Sequence, residues 1–462
     1  MREFKVPSRR DSLKGASAKF KVGERRQERA ETVRPLRLSE IKTSTYGRIS
    51  SGIEELDRVL GGGFIPGEIV LLAGEPGIGK STLLLKLGGV RDLGPPASPC
   101  EALRAGEIIY VSGEESPEQI KIRAERLGVR GENILVMGET QVERVIEGAR
   151  ELVVSCESGC EGEGKGERNP QPTTHPRPTT QNLPIILIID SIQTLWSEEI
   201  EGSPGSISQV KGCTQKLIES AKKSGIAVIL IGQINKEGEI AGPMMLSHMV
   251  DCVLFLEGER FTELRLLRGL KNRFGPTDEV GVFKMTDKGM EEVKNPSELF
   301  LEGFGGDGEF GGKTGAVTVC AMEGTRPMLL EIQALVTQSS LPIPRRVVLG
   351  LDYNRVLLII AVLQKILHLP LYNQEIIVKV GGGFKVLEPA ADLGIAMSIV
   401  SSFRNKPVKP KACAFGEVGL IGEIRRVNGE EKRIKEAKKL GFTDILSSST
   451  VSDLQEAVRV IS

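Results

Sequence analysis

Gly74-Glu75-Pro76-Gly77-Ile78-Gly79-Lys80-Ser81 satisfies the pattern G-x-x-x-x-G-K-[ST] at every fixed position. The flanks suit it. The apolar, β-branched run Ile69–Ala73 leads in, and the helix-prone stretch Thr82–Leu87 leads out. A strand, a tight glycine turn and a helix N-terminus together form an anion cradle, with backbone N–H groups turned inward and the helix dipole favouring negative charge. In such a loop Lys80 neutralises the terminal phosphates and the Ser81 hydroxyl ligates Mg²⁺. The ligand expected here is ATP with Mg²⁺, held by Gly74 to Thr82.

Hydrolysis needs more: a carboxylate at a strand end to help hold the metal, and a second to polarise water. Ile185–Ile189 is an aliphatic run closed by Asp190, the Walker B arrangement, so Asp190 is paired with Ser81 as a metal residue. Tyr110-Val111-Ser112-Gly113-Glu114-Glu115-Ser116 puts acids at the end of the strand after the loop. Glu114 is the base candidate, and Glu115 is the alternative or a helix-start residue beside Ser116-Pro117. After another buried run come Gly232-Gln233-Ile234-Asn235. An amide there, Gln233 first, either senses the γ-phosphate or caps backbone.

The elements that must position these groups alternate. Expected strands are 68–73, 107–112, 134–137, 185–189, 227–232 and 250–257, with helical patterns at 117–127 and 208–224 between them. Such alternation implies a parallel sheet covered on both faces. Residues 1–38 show no period and look like a polar, mobile arm; 39–293 form the α/β unit; 294–462 read as an α+β domain. Residues 155–184 are Gly/Pro/Thr/Glu-rich and are expected to be a disordered insertion. Its Cys156, Cys160 and His175 lack a fourth ligand and the usual C-x₂-C knuckle, so zinc is not expected there.

Composition excludes several classes. With 40% hydrophobic and 26% charged residues the chain is of ordinary globular type, and at 462 residues it is long enough for two or three domains. Lys+Arg and Asp+Glu balance at 61 each, so contact with a polyanion must come from local patches. The apolar run Val356–Leu363 is far short of the ~20 residues that span a bilayer, no signal core opens the chain, and the 7 cysteines are scattered. The location expected is the cytoplasm, with no membrane partner.

Gly62-Gly63-Phe64-Ile65-Pro66-Gly67, the phosphate loop, and the Glu and Asp strand ends together look like a RecA-fold ATPase. LDRVLGGGFIPGE, YVSGEES, NKEGEIAGP, HMVDCVLFLEGE and above all Lys271-Asn272-Arg273-Phe274-Gly275 (KNRFG) resemble the bacterial RadA (Sms) DNA-repair family, from about Leu38 to the C-terminus. The resemblance implies a RecA-like P-loop ATPase core followed by an α+β Lon-protease-like domain. It also implies a homohexameric ring and a DNA-dependent motor that moves on single-stranded DNA and promotes branch migration of recombination intermediates, with single-stranded and branched DNA and a RecA-type recombinase as partners. Lys271 and Arg273 are then the active cations of a loop that reaches a neighbour's γ-phosphate or a DNA phosphate. A clock-type RecA-fold regulator is a weaker match, because a single KNRFG-bearing ATPase domain is present.

The chain departs from that family in three places, one of them the 155–184 insertion relative to the usual compact connection. Residues 1–38 contain no cysteine, whereas the family opens with a four-cysteine zinc module; either the true start lies upstream or the protein works without zinc. The family's usual His-Val-Thr reads Gln233-Ile234-Asn235. In the second domain Ala390 stands where a Lon nucleophile would be and Arg433 where its lysine would be, with Lys432 adjacent. Alanine cannot attack a carbonyl and arginine stays protonated, so no protease activity is expected. Arg345-Arg346, Lys385, the 404–411 stretch and Arg425-Arg426 are candidate phosphate contacts or solvated faces.

Overall fold

β1 (Ile69–Gly74) is six residues long and buried throughout. It lies near the middle of a nine-stranded sheet ordered β3-β2-β4-β5-β1-β6-β7-β8-β9. The other strands are β2 (Ile108–Ser112), β3 (Ile134–Met137), β4 (Ile186–Asp190), β5 (Ala227–Gln233), β6 (Cys252–Glu257), β7 (Leu264–Asn272), β8 (Val280–Thr286) and β9 (Gly289–Glu292). The computed structural model describes residues 47–90, 107–158, 186–233, 243–258, 263–302 and 312–461. The 1–38 arm, most of the 155–184 insertion with Cys160 and His175, and Asn235 lie outside them.

β1 to β6 run parallel. Alternation along β1 sends Val70 and Leu72 into one apolar layer and Ile69 and Leu71 into the other. The first layer is covered by α1 (Glu54–Leu60), α2 (Lys80–Val90) and α3 (Pro117–Arg126). The second is covered by α4 (Val142–Ser158) and α5 (Ile207–Ser224). In α5 the expected stripe Val210, Cys213, Leu217 and Ala221 is the buried face. α3 opens with Ser116 as N-cap in a capping box with Gln119, and Pro117 follows.

Two expectations are corrected. The sheet is mixed rather than parallel, because β6–β7, β7–β8 and β8–β9 are antiparallel. β7 escaped notice because Arg265 and Arg268 interrupt its apolar run, although Arg265 is buried and hydrogen-bonds to the Ile78 carbonyl. In addition, α4 continues to Ser158, four residues into the segment expected to be loop. Val142, Val145 and Ala149 anchor that helix on the core, and propagation from an anchored start adds a hydrogen bond per residue.

A six-stranded sheet, β12-β13-β11-β10-β14-β15, forms the second core. Its strands are β10 (Ala316–Glu323), β11 (Arg326–Gln338), β12 (Arg346–Leu349), β13 (Gln374–Val380), β14 (Ala412–Ala414) and β15 (Asp444–Leu446). Helices Tyr353–Ile366 and Asp392–Arg404 bury Val356, Ile359, Leu363, Leu393 and Ile399 against it. The β10–β11 turn docks on the first sheet. Arg326 pairs with buried Glu55 of α1 at 2.6 Å, and Arg268 pairs with Glu323. Gly324 (φ 61°) passes so close that a Cβ would lie 1.7 Å from the Asp278 carbonyl oxygen. Among the described residues no helix is long and apolar enough to cross a membrane.

Candidate nucleotide site and the opposite sheet edge

The phosphate loop turns directly off the end of β1. Gly77 and Gly79 have φ of 77° and 113°, and a Cβ on Gly79 would come within 2.7 Å of the Met285 and Met290 methyls, so conformation and space both demand glycine there. Ile78 is buried, while Glu75, Pro76 and Gly77 face solvent. Lys80 begins α2 and is 6% exposed. Its ammonium donates to the Gly74 and Glu75 carbonyls at 2.8 and 2.9 Å, which folds it over the loop. Burial lowers its pKa, and Asp190 and Glu114 oppose that shift. Ser81 and Thr82 follow in the first helical turn, both half-buried.

The ends of β2, β4 and β5 meet this loop at the same sheet edge, where parallel sheets bind ligands. Ser191 donates from Oγ to Glu114 Oε1 at 2.9 Å, and Gln233 donates from Nε2 to the same oxygen at 3.4 Å. Glu115 turns away to pair with Arg123 of α3. The two adjacent acids therefore point to different partners, and Glu114 is the one on the loop side. Asp190 accepts from the buried Tyr110 hydroxyl. One hydroxyl and one carboxylate suit Mg²⁺, which keeps waters and takes its remaining oxygens from phosphates. The glycine cradle, the desolvated lysine and the fixed carboxylate fit a Mg²⁺–triphosphate.

The KNRFG residues are elsewhere. Antiparallel pairing sets Asn272 opposite Cys252 and Lys271 opposite Val253, and Asp251 donates its N–H to the Ile69 carbonyl at 3.0 Å. The motif is therefore level with the start of β1, whereas the phosphate loop leaves its end. Five residues at ~3.3 Å each put about 16 Å between them.

The motif is not the free loop expected. Lys271 and Asn272 close β7, and both cations are engaged. Lys271 Nζ donates to the Ser247 and Val250 carbonyls, each at 2.7 Å. Arg273 Nη1 donates to Asp251 Oδ1 at 3.0 Å, and Asp251 Oδ2 accepts from the Ile69 N–H at 3.2 Å. Asn272 Nδ2 reaches the Leu60 carbonyl at 3.3 Å, and Arg48 donates to the Phe274 carbonyl. A Cβ on Gly275 would meet Asn272 Nδ2 at 2.8 Å. Arg273 is about half exposed, and Phe274 is exposed beside it. Beneath them burial lifts the Glu68 carboxyl to about 7, with Asp251 adding to the rise.

In the second domain Ala390 is buried and offers no hydroxyl. Arg433, 1% exposed, forms a two-pronged pair with Glu388 at 2.8 and 2.6 Å and donates to the Cys320 and Asn428 carbonyls. It also lies 5.8 Å from the centre of the Phe415 ring. Removing the acid strands a buried guanidinium, so Glu388→Ala is expected to lose about 3–5 kcal/mol. Urea unfolding measures this, and a loss under 1 kcal/mol would contradict the clamp. Of the basic candidates, Arg346 donates to the Leu371 and Gln374 carbonyls, Arg425 pairs with Glu423, and Arg426 pairs with Glu430. Lys385, Arg404, Lys406, Lys409 and Lys411 are exposed.

Sequence reasoning missed Tyr110, Ser191, Arg48 and Asp251. Tyrosine inside an aliphatic strand was the available signal, since a buried phenol seeks a partner. Nothing local marked the others.

A protein-family model described as "ATPase: KaiC" matches residues 49–295, more than half of the chain. Curated relatives that the chain matches, from several bacteria, carry the name "DNA repair protein RadA". The one from Streptococcus pneumoniae is 44% identical over 435 residues, covering 93% of this chain and 92% of the relative. Those from Halalkalibacterium halodurans and Bacillus subtilis are 43% and 44% identical, covering 90% and 88% of this chain and 81% and 80% of theirs.

Proposed function

This chain belongs to the RadA family of bacterial DNA repair proteins, and on that footing we propose that it is a DNA-dependent ATPase that moves along single-stranded DNA and processes branched recombination intermediates. Its RecA-like ATPase core supplies the nucleotide chemistry. Lys80 cancels charge on the terminal phosphates, and Gly74 to Thr82 hold them through backbone N–H groups. Ser81 and Asp190 would hold Mg²⁺, which would supply charge neutralisation at the phosphates. Glu114 orients and polarises the attacking water, while Gln233, bonded to Glu114, reports the state of the γ-phosphate.

The observation that carries the motor reading is the separation of KNRFG from the chain's own phosphate loop. Two cations about 16 Å away along the sheet cannot serve the nucleotide beside them. We read them as serving one bound on a neighbour, with this chain's loop facing the next subunit in turn, a head-to-tail arrangement that we take to close into a hexameric ring. We take the domains as 39–293 and 294–462, a division that the two separate sheets support. The second domain acts as a platform without peptidase activity, since Ala390 lacks a nucleophile and Arg433 is bound to Glu388. Exposed Arg404, Lys406, Lys409 and Lys411 offer phosphate contacts for DNA. A RecA-type recombinase is the protein partner, and the cytoplasm the setting.

The test compares phosphate release with and without single-stranded DNA. The wild type is expected to be stimulated. Glu114→Gln should keep nucleotide binding and lose turnover by about 10²–10⁴-fold. A wild type indifferent to DNA would sink the motor reading.

A further inference from the structure

Tyr110 is the one phenol in an otherwise aliphatic start to β2, and it is 0% exposed. Its ring lies in the apolar layer that also holds Leu83, Leu84, Leu87 and Ile188. In register Tyr110 faces Ile188 and Ser112 faces Asp190, so Tyr110 sits one pleat behind Asp190 on the same face of the sheet. That diagonal is within reach of a long aromatic side chain. The hydroxyl donates to Asp190 Oδ2.

We propose that Tyr110 is a positioning residue for the metal, orienting the Asp190 carboxylate of the Mg²⁺ site through its hydroxyl. By engaging Oδ2 it fixes the rotation of Asp190 and leaves Oδ1 to a cation or its water. Partners that orient metal ligands in this way are worth about 10–100-fold in metal affinity or activity. The inference rests on the reading that Ser81 and Asp190 hold Mg²⁺.

Tyr110→Phe keeps the ring and deletes the hydroxyl. Binding of a fluorescent ATP analogue is titrated with Mg²⁺, alongside Mg²⁺-free binding and thermal unfolding. The half-saturating Mg²⁺ concentration is expected to rise about 10-fold, with Mg²⁺-free affinity unchanged. The unfolding midpoint should fall by no more than about 2–4 °C, the scale of one hydrogen bond. Superposable Mg²⁺ titrations would overturn the proposal, as would an equal loss of Mg²⁺-free affinity, which marks a packing role. Ser81→Ala is measured in parallel. A shift there without one in Tyr110→Phe removes only the positioning role, whereas no shift in either removes the metal site itself.

Discussion

Lys80→Ala is expected to reduce ATP turnover by at least about 10³-fold while leaving a folded protein. The ammonium is folded over the phosphate loop, where it donates to the Gly74 and Glu75 carbonyls. Charge that develops on transferring oxygens inside a partly desolvated site is stabilised far more than in water, and removing one such donor costs about 10²–10³ in rate by itself. Here the residue also contributes to binding, so the two losses compound. The folded state loses less, because each of the two hydrogen bonds is worth about 1 kcal/mol and alanine also relieves the burial of a charge. Steady-state phosphate release with a parallel unfolding curve measures both. A variant that retains a tenth of wild-type turnover would show that the loop backbone carries the site without the lysine.

Mixing two inactive variants should restore activity, and this is the most discriminating expectation. Arg273→Ala or Lys271→Ala alone is expected to lower DNA-stimulated turnover by about 10³–10⁵-fold, the range of an arginine supplied from a neighbour. Arg273→Lys should not rescue it, since a planar fork and a point charge present different geometry to a phosphate. A Lys80→Ala subunit still carries an intact KNRFG edge, and an Arg273→Ala subunit still carries an intact phosphate loop. Where one faces the other a complete site forms, so the mixture should exceed the sum of the separate rates. A mixture no faster than that sum would refute action in trans. Binding of the ATP analogue to Arg273→Ala alone is expected to be near normal, because the motif is remote from the chain's own loop.

Much of the core was legible because its signals are contiguous. Ile69 to Thr82 encodes a strand, a turn and a helix start in order, and chain connectivity leaves one way to arrange them. The aliphatic runs before Ser112, Asp190 and Gln233 likewise fixed parallel strands whose ends share an edge. β7 to β9 were not legible, since Arg265 and Arg268 break the period while finding partners in Ile78, Glu257 and Glu323. Glu114 was preferred to Glu115 on paper, with no contact to decide between them. Only Ser191 and Gln233 on one side and Arg123 on the other distinguish them.

The sequence by itself therefore determined that a triphosphate is held and which strand ends surround it, because those properties reside in backbone conformation and short-range spacing. Tertiary structure alone decided that KNRFG lies at the far edge, anchored by Asp251, and that Tyr110 reaches Asp190 across 80 residues of chain. It also decided that Arg433 is a clamp on Glu388, 45 residues away. The reason is physical: hydrogen bonds and ion pairs form between groups that packing brings together, and residues so distant along the chain carry no local mark of one another.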